Sequence, residues 1–208
     1  MVLNDKEIMA LIDKSEAYNK KPLIENFKQE NLQGATYDIT MNKVIHVFKK
    51  GTTTIDLKET DSYKYIYEEI EIDEFGYVLD PGEYILITLN EALNLPDDVI
   101  CEVLPKTKLI RAGLTILSQY CNPSYCGVLQ LGIKNNSSNS IKIYPNFKIG
   151  QYIFKKLNSI PNNLYREKSD ASYQDEKKFR GTKLSEDDIS KGKKLLKKLK
   201  ETLDGESL

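Results

Sequence analysis

The chain has 208 residues and a mass of 23.8 kDa, with 40% hydrophobic and 29% charged residues, which is the usage of a globular domain and not of a disordered or collagen-like chain. Thirty Lys and Arg stand against 31 Asp and Glu; the net charge of -1 excludes the overall positive field of a general nucleic-acid binder and confines any anion site to a local cluster. The longest apolar runs, such as Tyr84 to Leu89, fall far short of the roughly 20 residues that cross a bilayer, and Met1 to Lys6 lacks a signal-peptide layout, so a cytoplasmic protein without membrane contact is expected.

In chain order, Asn4 followed by Glu7 and by Ile8, Met9, Leu11 and Ile12 at helical spacing predicts a capped amphipathic helix. From Gly34 to Gln151 short β-branched and aromatic runs alternate with Gly, Pro, Asn and Asp. Predicted strands include 37–40, 44–48, 53–55, 84–89, 99–104, 115–117, 128–133, 141–144 and 152–154. Leu79-Asp80-Pro81-Gly82-Glu83 and Leu95-Pro96-Asp97-Asp98 read as turns, with at most one helical turn between them at Leu89 to Leu93. Many short strands and almost no helix imply a mainly β sandwich or barrel. After Leu157 apolar content drops, which predicts an extended arm over 158–184 behind a β domain over 1–157. A basic amphipathic helix is expected within 185–208, with Ile189, Leu195, Leu196, Leu199 and Leu203 as its stripe. Its lysines form either a solvated face or a binding element for a protein partner.

Cys101, Cys121 and Cys126 contain no CxxC pair and fit a reducing compartment. The single histidine, His46, sits in a strand-like run and reads as structural. The chain lacks both the His-x-Glu with Pro-Cys-x-x-Cys of a zinc nucleobase deaminase and a histidine placed for a Ser-His-Asp triad, so no metal site is expected. Lys106, Thr107, Lys108 and Arg111 place three cations and a hydroxyl in six positions after a strand, which suits phosphate oxygens. A solvated basic turn has the same composition.

The order of motifs resembles the metal-independent dCTP deaminases and their relatives, the trimeric dUTPases. The resemblance rests on Leu3-Asn4-Asp5-Lys6-Glu7-Ile8, Ala35 to Ile39, the two turns above, Lys106 to Leu114, and Tyr144 to Gln151. It extends into the arm through Tyr165, Ala171-Ser172-Tyr173-Gln174 and Arg180-Gly181-Thr182. It implies a distorted jelly-roll and a homotrimer with nucleotide sites at subunit interfaces, closed by the arm. Arg111 would be catalytic, Lys106, Thr107, Lys108, Gln151, Tyr165 and Tyr173 would hold phosphates, and Tyr120, Cys121 and Tyr125 would hold the base. Tyr120 reads equally as a core or subunit-contact aromatic.

Two departures bear on chemistry. Gly132 occupies the place of the deaminase glutamate, and Asn122 that of the dUTPase aspartate. Neither can accept a proton near neutral pH, which removes a general-base effect of about 100- to 10,000-fold. Gln130 and Glu102, the nearest polar strand residues, are expected to point away. The leading expectation is a homotrimer that binds dCTP, dUTP or a related nucleotide with impaired catalysis, as a sensor, regulator or sink. An active dCTP deaminase or dUTPase and a trimeric scaffold are the alternatives. No cofactor is expected for binding or deamination, with Mg²⁺ accompanying a bound or hydrolysed triphosphate.

Overall fold

The computed structural model describes residues 1–49, 51, 54–56 and 66–182; the lysine-rich helix expected over 185–208 lies outside them. Helix α1 (Asp5–Lys14) begins at a complete capping box: Asn4 Oδ1 accepts the Glu7 N–H at 3.1 Å and Glu7 Oε2 accepts the Asn4 N–H at 2.8 Å. It buries Ile8 and Leu11 and stops where Ser15 turns left-handed. The Leu3 N–H donates to Phe154 O, tying the helix to the sheet.

The strands that follow are β1 (Ile24–Glu25), β2 (Tyr37–Phe48), β3 (Tyr67–Glu71), β4 (Tyr77–Leu79), β5 (Tyr84–Asn94) and β6 (Val99–Pro105). A short helix α2 (Thr107–Arg111) precedes β7 (Leu114–Ile116), β8 (Gln119–Cys121), β9 (Cys126–Asn135), β10 (Ile141–Ile143) and β11 (Lys148–Lys156). The main sheet has the order β7-β9-β5-β2-β11-β6-β8, with β1 on β5 and β3 on β2; β4 and β10 pair separately. Long β2 joins the two halves: residues 37–40 pair with β11, while 44–48 pair with β3 and β5. This mainly β, curled, jelly-roll-like sheet is the predicted fold class.

Alternation sorts the side chains. On β5, Ile85, Ile87 and Leu89 are buried, whereas Tyr84, Leu86 and Thr88 point to the other face and are half-buried. Tyr37, Ile39, Leu131, Ile133, Tyr152 and Phe154 join the inner set, each burial contributing about 1.5–3 kcal/mol for an aliphatic residue.

Three expectations are corrected. Leu89 to Leu93 is strand, because Ala92 and Leu93 pair with β1 and β9 after a register shift that Asn90 and Glu91 accommodate by bonding to Thr40 and Met41. Thr54 and Ile55 lie outside any strand. The charged run Tyr67–Glu71, which lacks a strand signature, is recruited by β2 as β3.

Candidate functional site

A cavity of about 540 Å³ lies on the outer face of β5 and β9, under the arm. Register explains its floor. Gln130 pairs with Thr88, Gly132 with Leu86, and His46 with the same Leu86, so these side chains share one face with Tyr84. Gln130 therefore lines the cavity instead of pointing away from it, correcting the expectation for that residue. Its Oε1 accepts from Thr88 Oγ1 at 2.8 Å, while its Nε2 is buried and has no hydrogen-bond partner. Glu102 is turned elsewhere and pairs with Lys155 at 2.7 Å.

Tyr84 fills the place that a side chain at position 132 would take. A Cβ on Gly132 would collide with the Tyr84 hydroxyl and would lie 2.8 Å from Leu117 Cδ1. The tyrosine was visible in the sequence only as a strand residue. Its apposition to a mid-strand glycine needed the register, although a glycine inside a strand is a signal of close approach.

The second wall is the hairpin β8–β9. Tyr120, Cys121, Asn122 and Tyr125 line the cavity, with Tyr120 55% exposed and Tyr125 buried. Burial pushes the Tyr125 phenol strongly upward and the Cys126 thiol up to about 12, so both are neutral hydrogen-bonding groups near pH 7. Ser124 takes a left-handed conformation at the turn, and its hydroxyl accepts the Arg166 N–H at 3.1 Å.

The arm forms the roof. Arg166 donates to Asp97 through both terminal guanidinium nitrogens, and Tyr165 meets Tyr125 edge-on at 5.7 Å. The Asp175 N–H donates to Cys126 O at 2.8 Å and the Val128 N–H to Glu176 O at 2.8 Å, adding a short parallel bridge to β9. Phe179 then lies on His46 at 3.8 Å between ring centroids and against Tyr67 at 5.1 Å. Tyr165, Tyr173, Glu176 and Phe179 all line the cavity, as does Tyr67. Tyr67, Glu176 and Phe179 carry no motif and were missed from sequence.

The expected site residues thus fall into two groups. Asn122, Tyr120, Cys121, Tyr125, Tyr165 and Tyr173 meet at the cavity. Lys106, Thr107, Lys108, Arg111 and Gln151 do not line it; they gather on and around α2, where Gln151 pairs with Leu104 and Asp38. Lys106 binds Asp38, whose other oxygen lies 3.3 Å from Lys148 Nζ, and Lys108 sits 4.5 Å over the Phe147 ring. Thr107, Lys108 and Arg111 are exposed. Among the described residues no Lys, Arg or His lines the cavity, and none of them forms a group of three metal-ligating side chains. The cavity lining is thus aromatic and polar, with the Glu176 carboxylate among it, whereas the cations stand on a different surface of the same chain.

A family profile described as dCTP deaminase-like matches residues 2–157. The chain is 31% identical over 191 residues to a dUMP-forming dCTP deaminase of Nanoarchaeum equitans, covering 84% of this chain and 93% of the relative. It is 29% identical to one of Dictyoglomus thermophilum, over 93% of this chain and 100% of that one. The crystal structure of 2'-deoxycytidine 5'-triphosphate deaminase from Agrobacterium tumefaciens superposes with a TM-score of 0.59 at 19% identity, over 74% of this chain and 48% of that one, a likeness of fold. With three quarters of its length matched by the family profile and a relative 31% identical over most of both chains, the chain belongs to the dCTP deaminase-like family.

Proposed function

We propose that this chain binds a pyrimidine deoxynucleoside triphosphate under its arm and does not deaminate it through a carboxylate on β9, acting as a nucleotide sensor, regulator or sink. The observation that carries this reading is the filled space at Gly132, where Tyr84 and Leu117 leave no room for a glutamate in the present packing. Asn122 at the hairpin supports it, since an amide orients water but takes no proton near neutral pH. The names of the relatives supply the ligand class. In this reading three copies assemble, and the Lys106, Lys108 and Arg111 cluster of one copy meets the triphosphate held in the cavity of another. Mg²⁺ enters with the triphosphate.

Calorimetric titration of the full chain with dCTP and dUTP, with and without Mg²⁺, tests the binding half. Saturable heat with at least one nucleotide is expected, and no heat with either overturns the reading. A second reading, favoured by the presence of Glu176 in the lining, has that arm carboxylate serve as the base of an active dCTP deaminase. It requires turnover that Glu176→Gln abolishes.

A further inference from the structure

We infer that Gln130, with Tyr84 beside it, selects a carbonyl over an exocyclic amine at C4 of a pyrimidine, so that the cavity takes a uracil-type base in preference to a cytosine-type one. This inference rests on the nucleotide-binding reading and names the ligand within it. The two residues project from neighbouring strands on one sheet face: Gln130 stands opposite Thr88, and Tyr84 reaches over Gly132. They occupy the floor where a carboxylate on β9 would stand.

What Gln130 offers the floor is a donor. Thr88 Oγ1 holds Gln130 Oε1 at 2.8 Å, so the amide presents its Nε2 side, the buried atom left without a partner. The backbone carbonyl of Gln130 is likewise committed, accepting from Gln119 Nε2 at 2.6 Å. Burial raises the Tyr84 phenol above its ordinary value, so it keeps its proton near neutral pH and can donate too. A buried amide N–H costs free energy until it meets an acceptor. A carbonyl oxygen is such an acceptor, whereas an exocyclic amine directs N–H groups at N–H groups. Glu176, the acidic residue of the lining, belongs to the roof, and its Oε1 accepts the Arg180 N–H at 2.9 Å. It does not supply an acceptor on the floor. A site whose polar groups are matched to one ligand rejects the mismatched analogue, because the mismatch leaves them unpaired.

The test is competitive calorimetry on the full chain with dUTP and dCTP. Binding of dUTP tighter than dCTP by about tenfold or more is expected. Gln130→Glu replaces the donor by an acceptor and should remove or reverse the preference; Thr88→Val, which releases the amide, should reduce it and serves as the second variant if the first does not fold. Equal affinities, tighter dCTP, or a preference unchanged in both variants overturns the proposal. If neither nucleotide binds the unmodified chain, the nucleotide-binding reading itself fails, and the selection with it.

Discussion

The Tyr84 hydroxyl occupies the volume into which a side chain on Gly132 would have to grow. Leu86, two residues beyond Tyr84, is the strand partner of Gly132, so tyrosine and glycine are diagonal neighbours on one face. Glycine lets the hydroxyl end of the ring come close to β9, and the ring in turn makes a larger residue costly. The two positions behave as one unit.

That coupling is measurable. Gly132→Ala should destabilise the fold by about 1–3 kcal/mol, the usual cost of overpacking. In a Tyr84→Ala background the same change should cost much less, giving an interaction energy of about 1 kcal/mol or more in a double-mutant cycle. Chemical denaturation of the four proteins provides the numbers, and additive effects would show that the ring does not constrain position 132. By the same logic Gly132→Glu alone should not confer deamination.

Removing an exposed cation of α2 should act on ligand and not on fold. Arg111→Ala is expected to leave the melting temperature within a degree or two and to weaken triphosphate binding by about 10- to 100-fold, the worth of hydrogen bonds to a charged group. The corresponding monophosphate should lose much less. Calorimetry with both ligands separates the cases; equal losses would place Arg111 away from the phosphate tail.

One tie of the arm is the Arg166–Asp97 pair, in which both side chains are about three-quarters buried. Arg166→Ala should raise the opening of the arm by about tenfold or more, from the loss of about 1.5–3 kcal/mol. Hydrogen exchange at the Asp175 and Val128 amides, which bond across the arm and β9, reports it directly. Unchanged exchange there would mean that the remaining arm contacts keep it down without the ion pair.

His46 gives the fold an acid sensitivity of known sign. Burial lowers its pKa below the ordinary 6.5, against an opposing pull from Glu69 at 3.3 Å. The unfolded chain then binds the proton more readily than the folded one, so this contribution is fully present above pH 6.5 and is lost as pH falls through the folded value. Melting curves between pH 7.5 and 5.5 should fall for the unmodified chain and flatten for His46→Gln, above the range where most carboxylates titrate at about 4. Parallel curves would contradict the assignment.

How much of this could be read from residues alone follows physical lines. The capping box at Asn4 and the turns at Pro81 and Pro96 are local, and the structure forms them where they were expected. Asn122, Tyr125, Tyr165 and Tyr173 were identifiable because they sit in recognisable segments of the hairpin and arm. Gln130 was misjudged because the face of a strand residue depends on register, and the shift between Thr88 and Ala92 is fixed by side-chain bonds from distant β2. Tyr67 and Phe179 were invisible, since each matters only through a ring that the other element brings. Lys106 was expected to hold phosphate, and its ion-pair partner Asp38, which lies 68 residues earlier in the chain, was not foreseen.

The measurement that bears most directly on the central claim is chromatography of nucleotides after incubating the full chain with dCTP and with dUTP in the presence of Mg²⁺. The account predicts that both are recovered unchanged, apart from the fraction bound and released on heating. Accumulation of dUTP or dUMP from dCTP would contradict it and place a working proton acceptor in the cavity despite Tyr84 at the Gly132 position.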